Sequence, residues 1–242
     1  MNQIINLLDN FNDKLEFESD YIYNGITVPR VTKIISKCIH SDSLMRWANS
    51  LGFKHQSYNT VLNRAADIGS QCHSNIDQFI DNNNHIMHED NLYNESFNAY
   101  NSFRKWFDYI NNIMPINVIF HEKTLVCPYF GGTIDGLYNI NGKIYLVDYK
   151  TSNSIKYSHF LQLSAYRFML KNICNINIDG CIILQLSKTD ISYKEYVLNF
   201  NNIDHLNFIN SCEAAFLSMV YSYYNILKIE QDYNKIIWGE IN

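Results

Sequence analysis

Residues 131–150 read Gly131-Gly-Thr-Ile-Asp-Gly-Leu-Tyr-Asn-Ile-Asn-Gly-Lys-Ile-Tyr-Leu-Val-Asp-Tyr-Lys150. Two runs of strand composition flank Asn141-Gly142. Asn-Gly between apolar runs is a strong hairpin signal, because a type I′ turn needs positive φ at both central residues. A two-residue loop also fixes the register. Ile140 faces Lys143, Asn139 faces Ile144, and counting outward places Asp135 opposite Asp148. Cross-strand neighbours have Cβ atoms roughly 4.5–5.5 Å apart, and like charges there destabilise a sheet. Side chains two apart share a face, so Lys150 joins the two carboxylates. The rest of the hairpin is apolar, with Ile134, Leu137, Ile140, Ile144, Leu146 and Val147. Two carboxylates facing each other in such a setting call for a cation, or for a proton on one of them. A divalent metal with oxygen ligands meets that need.

The chain has 242 residues, a length that suits one large domain or a core with a smaller helical part. Tyr and Phe are abundant while Pro and Gly are sparse, which excludes a disordered chain. A net charge of −5 excludes a global basic field for coating nucleic acid, so any such contact needs a local groove. The six cysteines form no CxxC pair, which argues against a zinc ribbon or an iron–sulfur cluster. No apolar run reaches membrane-spanning length. The first residues lack a basic leader region, and a soluble intracellular protein is expected.

Apolar spacing places helices over 42–53, 60–81 and 92–113, and a final one over 203–228. A short helix and a strand pair fit 1–24, and Val28–Ile35 reads as a turn into a helix. Within 60–81, His73 and Asp77 stand at i, i+4 on one face. Gly69 lies one turn before His73. A mid-helix Gly costs about 1 kcal/mol against Ala, so it points to close approach by another element or a ligand. The aromatic stripe Tyr93, Phe97, Tyr100, Phe103 and Phe107 reads as core. Strands are expected over 116–120 with 124–126, 181–186 and 193–200, and a helix capped by Ser158 runs to about Lys171. On that helix Gln162 and Tyr166 share a face away from Phe160, Leu161 and Phe168. The final helix buries Leu206, Ile209, Ala214, Leu217 and Val220. This order implies an α/β fold with a mixed sheet and helices packed on it.

Asp135 followed by Asp148-Tyr-Lys150 resembles the PD-(D/E)XK nuclease superfamily, a restriction-endonuclease-like α-β-β-β-α-β core. Three further stretches are similar to its RecB-type exonuclease branch: Gly131-Gly-Thr-Ile-Asp-Gly136, Val147-Asp-Tyr-Lys-Thr-Ser152 and Gln162-Leu-Ser-Ala-Tyr166. Gly69-Ser-Gln-Cys-His73 resembles that branch's Gly-x-x-x-His element. Val28-Pro-Arg-Val-Thr-Lys-Ile-Ile35 and Leu44-Met-Arg-Trp47 resemble the mitochondrial genome-maintenance exonuclease group and its phage relatives. The resemblance spans about residues 28–166. The superfamily's Pro is absent, Ile134 standing before Asp135. Arg30 stands where the group shows Ser, and Asp77 where a Glu is expected.

What this resemblance implies is a metal-dependent DNA exonuclease that favours single strands and uses one or two Mg²⁺ or Mn²⁺ ions. Asp135, Asp148 and Lys150 are then catalytic, and His73 binds metal with the two aspartates. Gln162 and Tyr166 position DNA, and Thr151 and Ser152 are candidates for phosphate contact. Glu122 and Asp77 are further candidate site residues, and Lys123, Lys156, Arg167 and Lys188 candidate backbone partners. Residues 1–60 would form a helical and strand extension on a nuclease core of 61–242, in one compact unit. A structure- or sequence-specific endonuclease, and a non-catalytic DNA-binding or assembly subunit, are the competing readings. Other DNA-processing proteins are conceivable partners, and a membrane is not expected.

If the register is right, millimolar Mg²⁺ or Mn²⁺ raises the melting temperature, because a ligand that binds only the folded state stabilises it by mass action. A thermal melt that does not move with either metal counts against the facing carboxylates.

Overall fold

The computed structural model describes residues 21–39, 42–82 and 93–238. Residues 1–20, the first part of the stretch 1–24 in which a short helix is expected, lie outside them. Strands β1 (Tyr21–Tyr23) and β2 (Ile26–Val28) form a hairpin. Helices α1 (Val31–Cys38), α2 (Asp42–Phe53), α3 (Tyr58–Asn82) and α4 (Asn94–Ile113) follow. Next come β3 (Ile116–Cys127), β4 (Phe130–Ile140), β5 (Lys143–Lys150), α5 (Tyr157–Ile173), β6 (Gly180–Leu186), β7 (Tyr193–Asn199) and α6 (Ile203–Trp238).

The main sheet has five strands in the order β3-β4-β5-β6-β7. Only β5 and β6 run parallel, and α5 makes the crossover between them. Parallel neighbours need such a connection, whereas antiparallel ones can be joined by a tight turn. The β4–β5 turn is the expected one: Asn141 and Gly142 have φ of 51° and 80°. Ile140 faces Lys143 and Asn139 faces Ile144, as the loop length requires. The Asn139 side chain accepts the Gly142 N–H at 2.9 Å and locks the turn.

Helices cover both faces of the sheet. Leu137 and Leu146 point to a core built with α1, α5 and α6, where Phe130 packs edge-on against Phe216 at 5.0 Å. Tyr138, Val147 and Tyr149 point the other way, to α3 and α4. This alternation follows from the two-residue period of a strand. Near the start of β4, Gly131 N donates to Pro29 O at 3.0 Å, which ties the segment before α1 to the sheet.

Several helix details differ from the sequence reading. The first helical position of α5 is Tyr157, and the cap contact comes from His159, whose Nδ1 accepts the Lys156 N–H at 3.3 Å. Helix α6 runs ten residues past 228, where Ile229, Tyr233 and Ile236 are exposed. The reading stopped where the buried stripe stopped, but a helix propagates on its own i→i−4 bonds. On the same helix Ala214 is exposed, and Cys212 and Phe216 are buried instead.

The aromatic stripe of α4 also splits. Phe103 is fully buried and packs on Phe79, Trp106, Phe107 and Tyr149, whereas Phe97 is 37% exposed. Truncating Phe103 to Ala is expected to cost about 3–5 kcal/mol of unfolding free energy. Phe97→Ala should stay within about 0.5 kcal/mol of the parent. Urea titration of both variants checks this, and equal losses would mean that α4 is rotated from the position described.

Candidate metal and phosphodiester site

The β4–β5 ladder runs from Ile140–Lys143 to Gly136–Val147 and ends there. One step further, at Asp135 and Asp148, the strands part. The Tyr149 N–H donates to Asp135 Oδ2 at 2.7 Å. A side chain thus takes the place of a backbone partner, and the Asp135 carboxylate is held by the sheet itself.

Three elements converge on the other oxygen. His73 on α3 presents Nδ1 at 3.7 Å from Asp135 Oδ1 and 3.2 Å from Glu122 Oε1. Its Nε2–H donates to Tyr149 O at 3.3 Å. That bond fixes the ring orientation and leaves Nδ1 facing the carboxylates. Glu122 lies in β3 between His121, opposite Gly136, and Lys123, opposite Ile134. It has φ of 43°, a left-handed conformation inside a strand that costs about 1–2 kcal/mol for a residue with a Cβ. The resulting kink coincides with the point where its carboxylate reaches His73.

His73, Glu122 and Asp135 each offer one ligand atom, and these atoms lie within 4.8 Å of one another. Burial pulls the His73 pKa down, but the Asp135 charge and the Glu122 hydrogen bond outweigh it and lift it to about 9. Asp148 lies outside this trio. It is 1% exposed, and Lys150 Nζ stands 2.6 Å from its Oδ2. Its Oδ1 has no hydrogen-bond partner among the described residues. Burial raises the Asp148 pKa, the Lys150 ammonium opposes, and the Asp135 carboxylate adds to the rise. Lys150 keeps its proton: burial disfavours the charge, but Asp148 and Asp135 more than compensate.

His73, Glu122 and Lys150 border a cleft of about 990 Å³. Tyr21, Arg30 and Thr32 form one wall, α3 from Gly69 to Asp77 another, and Lys150 lies between them. Gly132 floors it because a Cβ there would meet the Tyr166 ring at 2.5 Å. Tyr166 therefore lines the cleft while only 4% exposed, and its ring belongs to the core rather than to a polar helix face. Gln162 Nε2 donates to its hydroxyl at 3.0 Å. No other element closely approaches Gly69, which instead lines the cleft. Thr151 Oγ1 lies 3.6 Å from where its Cβ would be, which is ordinary contact. Ser152 turns away, its Oγ donating to Ser154 O at 3.1 Å.

Asp77 has a different partner from the one its position implied. His121 Nδ1 stands 2.5 Å from Asp77 Oδ1, and its Nε2 stands 3.2 Å from Asp81 Oδ1. This cluster clamps α3 to β3 beside the trio. Sequence reasoning missed His121 and Asp81, although the spacing of His73, Asp77 and Asp81 by four residues was a legible signal of one helix face. Tyr21, Thr32 and Thr133 were missed as well, and no local pattern marks them.

No family model matches the chain, and no curated protein matches it. Among solved structures, one described as "Crystal structure of SSO0001" matches over 90% of this chain and 82% of its own. The identity is 15% and the TM-score 0.36, a likeness that carries no argument about activity.

His159, on the first turn of α5, is held down to about 4 by burial and then by the Lys150 ammonium. Its folded pKa thus lies below the ordinary 6.5, so the unfolded chain binds more protons between those values. The stability it contributes is complete above pH 6.5 and is lost as the pH falls toward 4. Allowing for its partial exposure, that contribution is about 1–2 kcal/mol. The urea midpoint of the parent should fall more steeply over this range than that of His159→Gln. Parallel profiles would remove the assignment.

Proposed function

We propose that this protein is a metal-dependent DNA exonuclease built on a PD-(D/E)XK core. The observation that carries the reading is the meeting of His73, Glu122 and Asp135 beside a buried Asp148–Lys150 pair, in a cleft open to solvent. The order α4-β3-β4-β5-α5-β6 is consistent with such a core. The donor set fits a hard divalent cation, since it offers two carboxylates and an imidazole whose ligand atoms lie within 4.8 Å of one another. Mg²⁺ or Mn²⁺ held there would polarise a phosphoryl oxygen and acidify a bound water.

The chain's own groups have separable parts in this reading. Tyr149 supplies both anchors through its backbone: its N–H holds Asp135, and its C=O orients His73. Lys150, charged and steadied by Asp148, faces the cleft as a hydrogen-bond donor. An ammonium there would stabilise negative charge on the phosphoryl and leaving oxygens as water's oxygen bonds to phosphorus and the bond to the leaving oxygen breaks. Glu122 completes the donor group in place of Asp148, which supports Lys150 from beneath. Gly132 and Thr133 leave room for a phosphodiester on the cleft floor. The acidic chain, with no global basic field, favours entry of a strand end over scanning of a duplex.

Asp148→Ala and Lys150→Ala should each lower the cleavage rate by at least about a hundredfold, the scale of losing a charged transition-state contact. The assay is end-labelled linear DNA against covalently closed circular DNA, with Mg²⁺. Loss of linear DNA alone supports exonuclease action. Nicked circles would turn the reading to an endonuclease, and parental rates in either variant would remove the proposed site.

A further inference from the structure

A second, smaller groove of about 340 Å³ lies at the carboxyl ends of the parallel strands β5 and β6. One side is Thr151–Asn153, which begins at the residue after Lys150. The other is the loop from Ser187 to Ser192 and the start of β7. Thr151 joins it to the large cleft, because it directly follows Lys150, which borders that cleft.

The groove is ordered by bonds that leave its interior open. Gln185 Nε2 donates to Ser152 O at 2.7 Å and joins the two sides. The Ser187 N–H donates to Ser192 O at 3.0 Å and closes the loop. Helix α4 grips that loop from behind: Asn98 donates to Lys188 O at 3.0 Å, and Lys105 to Ile191 O at 3.3 Å. The carboxylates nearby are already engaged. Asp190 accepts from the hydroxyls of Ser187 and Ser192, and Glu195 accepts from Trp106 Nε1 at 2.6 Å.

The serine hydroxyls are engaged as well, and what stays available is cationic. Lys188 and Lys194 line the groove, and neither forms an ion pair with a carboxylate among the described residues. In a chain of net charge −5, this local excess of positive charge favours an anion. Tyr193 also lines the groove, with its ring packed against the core on the α3–α4 side. The polar lining does not suit an apolar ligand.

We infer that this groove holds the backbone phosphate of the nucleotide next to the scissile bond, so that the substrate is a polynucleotide strand rather than a small phosphodiester. The inference rests on the nuclease reading for the position of the scissile bond. Lys188 and Lys194 act as phosphate contacts, and Thr151 marks where the strand passes from cleft to groove.

The test is fluorescence anisotropy of a labelled single-stranded DNA of about 20 nucleotides, in EDTA, over a KCl series. Each phosphate neutralised on a single strand contributes about 0.7 to the slope of log affinity against log salt, so Lys188→Ala with Lys194→Ala, which releases that one phosphate, should flatten it by about 0.7. Affinity at low salt should fall about tenfold, and Lys188→Arg with Lys194→Arg should restore both. An alanine variant with the parental slope and affinity overturns the inference, and so does a parent that binds no DNA. The titration needs no cleavage. Linear DNA left intact by the parent with Mg²⁺ would defeat the nuclease reading, yet leave a flattened slope as proof of the groove.

Discussion

The hydrogen bond from the Tyr149 N–H to Asp135 Oδ2 is the constraint on which the site depends. It exists because β4 and β5 part after Gly136–Val147, at the point where two carboxylates would otherwise sit side by side. Splaying moves Asp135 and Asp148 into different surroundings. Asp135 turns to the Tyr149 amide and His73, and Asp148 stays with Lys150. The like-charge conflict inherent in the register is thus resolved first by the protein's own groups: an amide, an ammonium and an imidazole. A cation in the cleft would add to that resolution rather than supply all of it.

The surrounding structure keeps this arrangement rigid. Tyr149 is 1% exposed, and its hydroxyl shares a short hydrogen bond with Tyr138. Its ring packs edge-on against Phe103 and His73. The residue that presents both backbone anchors is therefore locked by the α3–α4 core. Buried polar groups in a low-dielectric setting are costly unless satisfied, so the charged residues reinforce one another's positions. The Asp77–His121–Asp81 clamp extends the same logic along α3, setting the height of His73 over β3. With α3 fixed on that side and Tyr21 and Arg30 on the other, the cleft has two walls that belong to separate parts of the chain.

Much of this was legible in local patterns. The Asn141-Gly142 turn has backbone chemistry that few other dipeptides share, so it set the β4–β5 register without any tertiary information. The register in turn put Asp135, Asp148 and Lys150 on one face. Helices α2 to α4 followed from apolar spacing, because burial of one face writes a 3.6-residue period into the sequence. Patterns read less well where burial does not drive structure, as at the exposed end of α6, or where a residue serves two surroundings. Tyr166 is such a case: it was read as part of a polar face, but its ring is core and only its edge reaches the cleft.

The sequence by itself determined the hairpin, the register up to Gly136–Val147 and an α/β order of elements, since each depends on neighbours a few residues apart; the facing of Asp135 and Asp148 expected from that register gave way where the strands part. Only the tertiary structure decided that Glu122 rather than Asp148 stands with His73 and Asp135. It also decided that His121 clamps Asp77, and that Lys188 and Lys194 share a groove with Thr151. Those relations join residues tens of positions apart, and they depend on how α3, β3 and the β6–β7 loop pack. A kink at a single left-handed residue and the docking angle of a helix leave no periodic trace in the chain, because neither is set by local propensity.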